Sequence, residues 1–176
     1  TDKKIFEPND YGLTSTIGAN KGLAVNLDYY DFVGAPQAWY YTTGSKDMII
    51  GLSDGQVEIT DKDFLAKTTV IKKSSKAKGH GSGVASIAAG QGNNAYGTTG
   101  ICYDCSIYTT HYYDAKTLKQ LLELSAMGVK VINCSWALTS FYQTAQDVIN
   151  EMFENGTILV AAAGNQDWSK SKGEVF

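Results

Sequence analysis

No apolar run in this sequence approaches the roughly 20 residues needed to span a bilayer, so its 176 residues give no reason to expect a membrane partner. A secretory leader, with its charged start and short apolar core, is missing too. The sequence begins at Thr1 and reads as processed or trimmed. An excess of positive charge is also lacking: 15 Lys and Arg stand against 18 Asp and Glu, for a net charge of -3. That removes the electrostatic reason to expect nucleic acid. The one basic run, Lys72, Lys73, Lys76 and Lys78 among serines, reads as an exposed loop. There is no internal repeat and no low-complexity linker. With 43% hydrophobic and 19% charged residues, the chain suits one globular domain with a sizeable core.

Cysteine is scarce as well, and three are too few for a disulfide framework. Cys102-Tyr103-Asp104-Cys105 is open to three readings: a loop disulfide, half a metal site, or a redox motif. No second CxxC and no nearby His pair completes a zinc site. A redox pair opens a helix, whereas the strand-like Ser106-Ile107-Tyr108-Thr109-Thr110 follows here. That elimination leaves a local disulfide in a secreted protein as the expectation. Cys134, inside an apolar strand pattern, is expected to be an inert buried thiol.

What is present is a rhythm of buried strands and helices. Residues 1 to about 34 carry no sustained period and suggest an irregular arm, and Pro36-Gln37-Ala38-Trp39 starts a short helical turn. Met48-Ile49-Ile50-Gly51-Leu52-Ser53 is nearly continuously apolar, as a parallel strand covered on both faces must be. From residue 105 the alternation is clear. A strand runs from Ser106 to Tyr112, and a helix bears Leu118, Leu121, Leu122 and Ser125 and stops at Gly128. Strands from Val129 to Trp136 and from Thr157 to Ala163 flank a helix through Thr144, Val148, Met152 and Phe153. Such units predict right-handed crossovers and an α/β fold, a parallel sheet with helices on both faces.

Two residues stand where this architecture puts chemistry. Asp54 ends the first strand, at the edge where open α/β sheets hold their ligands, although Asp54-Gly55 also suits a plain turn. Glu58, Asp61 and Asp63 beyond it are expected in a solvated turn. His80 lies in Gly79-His80-Gly81-Ser82-Gly83-Val84-Ala85-Ser86, at the mouth of a small-residue helix. Flanking glycines permit close backbone approach, and a helix N-terminus favours neutral imidazole. That seat suits a general base, and it equally suits a capping histidine on a close-packed helix. Gln91-Gly92-Asn93-Asn94-Ala95-Tyr96-Gly97 is rich in amide oxygens but lacks the carboxylates of most calcium sites. Calcium is one reading of it and a plain surface loop the other.

Taken together, these segments resemble the subtilisin-like serine peptidases, the subtilases. Ile50-Gly51-Leu52-Ser53-Asp54-Gly55 is similar to the strand that bears that family's catalytic Asp, and the following turn continues the match through Asp63-Phe64. His80-Gly81-Ser82-Gly83-Val84-Ala85-Ser86 matches the catalytic His motif. Val131-Ile132-Asn133-Cys134-Ser135-Trp136-Ala137 is similar to the strand lining the substrate cleft, and Val160-Ala161-Ala162-Ala163-Gly164-Asn165 matches the segment with the oxyanion-hole Asn. Two departures stand out: Gln56 takes the usual glycine position of the Asp motif, and Gly83 stands where a second His is common.

The resemblance implies a three-layer sandwich around a mainly parallel sheet, incomplete in this chain, with residues 1–35 as an N-terminal arm and 36–176 as the N-terminal part of the peptidase domain. It implies a serine endopeptidase in which His80 is the base, Asp54 orients it and Asn165 binds the oxyanion. Ser135, Trp136 and Ala137 would hold an extended peptide or protein substrate, with Trp136 walling a pocket. The nucleophilic Ser would lie in a Gly-Thr-Ser segment after Phe176, so that this chain alone is inactive and needs the C-terminal remainder of its domain as a partner. No metal or cofactor takes part in that chemistry. The location implied is secreted, periplasmic or otherwise extracellular. The missing nucleophile and the two departures leave a second reading, a catalytically silent peptide-binding module on the same fold.

Overall fold

The computed structural model of the chain describes residues 4–12, 14, 22–24, 26, 28–75, 79–112, 116–138 and 140–165. Of the basic loop, Lys76 and Lys78 lie outside these. The core is a five-stranded parallel sheet of β1 (Ile49–Ser53), β2 (Thr68–Val70), β3 (Ser106–Thr110), β4 (Val131–Cys134) and β5 (Ile158–Ala161), in the order β2-β3-β1-β4-β5. Helices cover both faces, which gives the three layers expected. Among the described residues no helix is long and apolar enough to cross a membrane.

Strand period explains the two cores. Leu52 and Ile107 point to one face, where they join Val57, Phe64, Ala85, Ala89 and Cys105 beneath α3 (His80–Ala89). The opposite face sends Ile49, Tyr108 and Ile132 against Leu121, Leu124 and Met152 of α4 (Thr117–Ala126) and α5 (Gln143–Glu154). Every strand between two helical layers must be apolar on both sides, hence the unbroken runs. α3 uses Ala, Ser and Gly instead, because small side chains let it lie close on the sheet.

Near the N-terminus, α1 (Asp28–Phe32) and α2 (Ala35–Trp39) build a third, aromatic cluster of Tyr30, Trp39 and Tyr103. Tyr30 donates its hydroxyl hydrogen bond to the carbonyl of Thr99, and Trp39 Nε1 donates to the carbonyl of Ile101 at 2.8 Å. Cys102 and Cys105 are joined as the expected loop disulfide, just before β3. Cys134 is buried, and desolvation pushes its thiol up to about 12, so it holds its proton.

Candidate active site

β1 is the middle strand, with β3 on one side and β4 on the other. The two helical crossovers nearest it pack on opposite faces, so the carboxyl end of β1 is a natural crevice. Asp54 occupies that end. Its backbone N–H donates to the carbonyl of Thr110 at 3.1 Å, which extends the ladder by one residue and fixes where the side chain emerges. The carboxyl group is 2% exposed.

His80 is the first residue of α3, preceded by Gly79 in a left-handed conformation (φ 89°) that turns the chain into the helix. Its Nδ1 lies 2.7 Å from Asp54 Oδ1, while the ring is 55% exposed. The same oxygen accepts the Gly55 N–H at 2.5 Å. Oδ2 of Asp54 is buried, with no hydrogen-bond partner among the described residues.

Two contacts clamp α3 to the Asp54 loop and so set the dyad distance. The Glu58 N–H donates to Ser82 Oγ at 2.8 Å. Gly81 passes so near Gly55 that a Cβ placed on it would lie 2.2 Å from the Gly55 carbonyl oxygen. The glycine after His80 is therefore required by close approach. Gly83, where a second His is common in the resembling family, has open space: an added Cβ meets nothing within 4 Å. Packing does not force that departure.

The remaining candidate residues fall at the same edge of the sheet, since all five strands run parallel. Ser135, Trp136 and Ala137 follow β4 directly and are half-buried. Ser135 Oγ accepts from Asn133 Nδ2 at 2.9 Å, and Trp136 Nε1 donates to the Ser53 carbonyl at 3.1 Å. The indole thus ties β4 to the end of β1 and packs with the α4 and α5 side chains. Asn165 follows β5 and is exposed.

The acidic turn after Asp54 differs from expectation. Asp63 is not solvated but 2% exposed. Its Oδ1 accepts from Asn94 Nδ2 at 2.9 Å, and Asp10 accepts the N–H groups of Asn93 and Asn94, each at 3.0 Å. These two carboxylates clasp the loop of residues 91–97, whose amides are spent on protein contacts. Nothing in the local sequence around 91–97 signals partners 31 and 84 residues away. Among the described residues no group of three or more His, Cys, Asp or Glu could hold a metal ion.

Burial raises the Asp63 carboxyl from 3.8 to about 6, against the opposing pull of the Asn94 hydrogen bond. A carboxyl raised on folding binds its proton more tightly in the folded state. Its contribution is therefore complete below pH 3.8 and lost as the pH rises through about 6. Between those limits, the denaturation midpoint of the Asp63→Asn variant of the full-length protein should lack the decline that Asp63 imposes on the parent. Parallel profiles for the two proteins would refute this.

Comparison with known proteins shows the family to which the fold belongs. The model of the subtilase family matches residues 36–175. The chain is 31% identical over 144 residues to a thermophilic serine proteinase of Bacillus sp. (strain AK1), a match that covers 73% of this chain and 35% of that protein. It is 31% identical over 140 residues to the minor extracellular protease Epr of Bacillus subtilis (strain 168), covering 73% of this chain and 22% of Epr. The chain therefore spans about a third or less of these two curated relatives. Among solved structures, the prenylagaramide maturation protease PagA superposes with a TM-score of 0.66 at 26% identity, over 75% of this chain and 51% of PagA. With its parallel sheet, its Asp at the end of the central strand and its His at the start of α3, the chain belongs to the subtilase family.

Proposed function

We propose that the full-length protein containing this chain is a secreted serine endopeptidase, and that Asp54, His80 and Asn165 are its contribution to catalysis. The observation that carries this reading is the His80–Asp54 pair, 2.7 Å apart, with the carboxylate buried and the imidazole open to solvent. With the Nδ1 proton donated to Asp54, the lone pair on Nε2 is left to face the hydroxyl of a serine nucleophile. His80 takes the proton of a serine as its oxygen attacks the peptide carbonyl, and returns it to the leaving amine. Asp54 holds the tautomer and stabilises the imidazolium. Asn165 donates its side-chain N–H to the tetrahedral oxyanion, an interaction worth roughly 3 to 4 kcal/mol of barrier in comparable sites.

Backbone groups of Ser135, Trp136 and Ala137, beside β1 at the carboxyl edge, pair with an extended peptide as an added strand. Two features support a nucleophile supplied by sequence that continues this chain. No serine among the described residues is placed against the His80 ring by a hydrogen bond. And the outer strand β5 leaves Ile158 61% and Val160 49% exposed, an apolar edge suited to further sheet or helix.

A fluorophosphonate probe tests the reading. The full-length protein should be labelled on a serine after residue 176, labelling should vanish in the His80→Ala variant, and the isolated 176-residue chain should take no label. An unlabelled full-length protein that still binds peptides would favour the silent module.

A further inference from the structure

The peptide group that leads into Asp54 is held from both sides. Its N–H, which belongs to Asp54, donates to the Thr110 carbonyl on the β3 side at 3.1 Å. Its carbonyl, which belongs to Ser53, accepts Trp136 Nε1 from the β4 side, also at 3.1 Å. The indole N–H reaches Ser53 Oγ as well, at 3.2 Å, so two oxygens of one residue share it. Ser53 is buried, and a hydrogen bond shielded from water holds its geometry more strongly than an exposed one.

The register shows where this side chain acts. β1 and β4 stay paired through Ser53 and Cys134, and β4 ends there. Trp136 is two residues further on, and its indole reaches back to the last carbonyl of β1. The ring packs against the cluster that contains Leu121, Leu124, Ile132 and Met152, which fixes its orientation. It is therefore a strut between the α4 and α5 layer and the peptide from which Asp54 emerges. Tilting that peptide turns the Asp54 Cα, and with it the carboxyl group whose Oδ1 stands 2.7 Å from His80 Nδ1.

We propose that Trp136 is a positioning residue of the peptidase: its indole N–H fixes the Ser53–Asp54 peptide and so holds the Asp54 carboxyl group on His80. The inference rests on the peptidase reading above and adds to it a residue that acts on the dyad through Ser53. This role differs from that of a pocket wall in its kinetic signature. A wall changes how tightly one substrate side chain is held, whereas a positioning contact changes the chemical step for every substrate alike.

The test uses the full-length protein and internally quenched peptides that differ in the side chains flanking the cleaved bond. Trp136→Phe keeps an aromatic ring without the donor, and it should lower kcat about tenfold on every peptide with KM within about twofold, the loss expected of a displacement of a fraction of an ångström. Trp136→3-benzothienylalanine keeps both fused rings, and hence the packing, but has sulfur in place of the N–H. It should show the same loss, whereas Trp136→5-fluorotryptophan, which keeps the N–H, should match the parent. Proton NMR adds a readout that a tryptophan with a packing role alone does not move. The His80 Nδ1 proton, assigned by its absence from His80→Ala, should broaden or shift upfield in the benzothienylalanine protein and stay in place in the 5-fluorotryptophan protein. An unchanged resonance or an unchanged kcat in the benzothienylalanine protein overturns the proposal while leaving the peptidase reading intact, and so does a loss confined to KM or to particular peptides. If the parent cleaves no peptide, the peptidase reading fails. The Nδ1 resonance then decides the contact, a change supporting it and its constancy refuting it.

Discussion

Replacing His80 by alanine in the full-length protein is expected to lower kcat by on the order of a million-fold, with KM little changed. The imidazole stands 2.7 Å from the Asp54 carboxyl group at the end of β1 and is more than half exposed, so in the proposed mechanism its loss removes chemistry without removing packing. Asp54→Asn should cost less, about 10⁴-fold, because the ring remains but its tautomer is no longer fixed by a carboxylate. The order of the two effects is the informative part. If Asp54→Asn were harmless, the 2.7 Å contact would be a structural ion pair and not the orienting half of a dyad. Steady-state kinetics on folded variants, with folding checked by circular dichroism, reads both numbers.

The second large effect is expected at a residue that does no chemistry. In Gly81→Ala the new Cβ lies 2.2 Å from the Gly55 carbonyl oxygen and 2.7 Å from its carbon, both backbone atoms that cannot swing aside. Either the start of α3 or the Asp54 loop must move. Both are tied by the Glu58 N–H to Ser82 hydrogen bond, so that bond and the His80–Asp54 contact lengthen together. Overpacking of this kind costs roughly 3 kcal/mol, and a shift of about 1 Å at the base costs on the order of 100-fold in rate. Gly83→Ala, two residues on in the same helix, is the control. It meets nothing within 4 Å, so the ordinary helix preference for alanine should leave stability equal or higher by up to about 1 kcal/mol. Denaturant titration of the two variants separates them, and equal stabilities would refute the close-approach account.

How much of this was legible in sequence follows from how each element is covered. Four of the five strands were readable because each lies between helical layers or follows a turn signal, and burial on both faces writes an apolar run. β2 was not readable: it has three residues, Thr68, Thr69 and Val70, lies at the sheet edge, and none of the three is fully buried. The predicted strands at 106–112 and 129–136 overran the ladder, which ends at Thr110 in β3 and spans Val131 to Cys134 in β4. Apolar character continues past a strand wherever the next residues pack, as Val129 and Trp136 do. α1, five residues with two adjacent tyrosines, was hidden inside the arm.

The two positions were legible as candidates, an acid at a strand end and a histidine at a glycine-flanked helix start, but each also suited a plain structural role, and only the resemblance implied that they pair. What binds the pair was not legible. The Ser82 hydroxyl, the bond from the Trp136 indole to Ser53, and the clasp of Asp10 and Asp63 on residues 91–97 all join segments far apart in sequence, and none leaves a local pattern.

The central place of β1 also bears on how the chain is made. Ser53 pairs with Thr110 and Cys134, so about 80 further residues must be synthesised before the strand has both neighbours. At 5 to 20 residues per second that is about 4 to 16 s during which a five-residue, uncharged segment has at least one open edge. Long-range parallel pairing is slow in itself. The part of the nascent chain most exposed to aggregation is therefore the strand that delivers Asp54, and the lysines that follow it in translation, well before its partners, give the emerging segment like charges that keep copies apart.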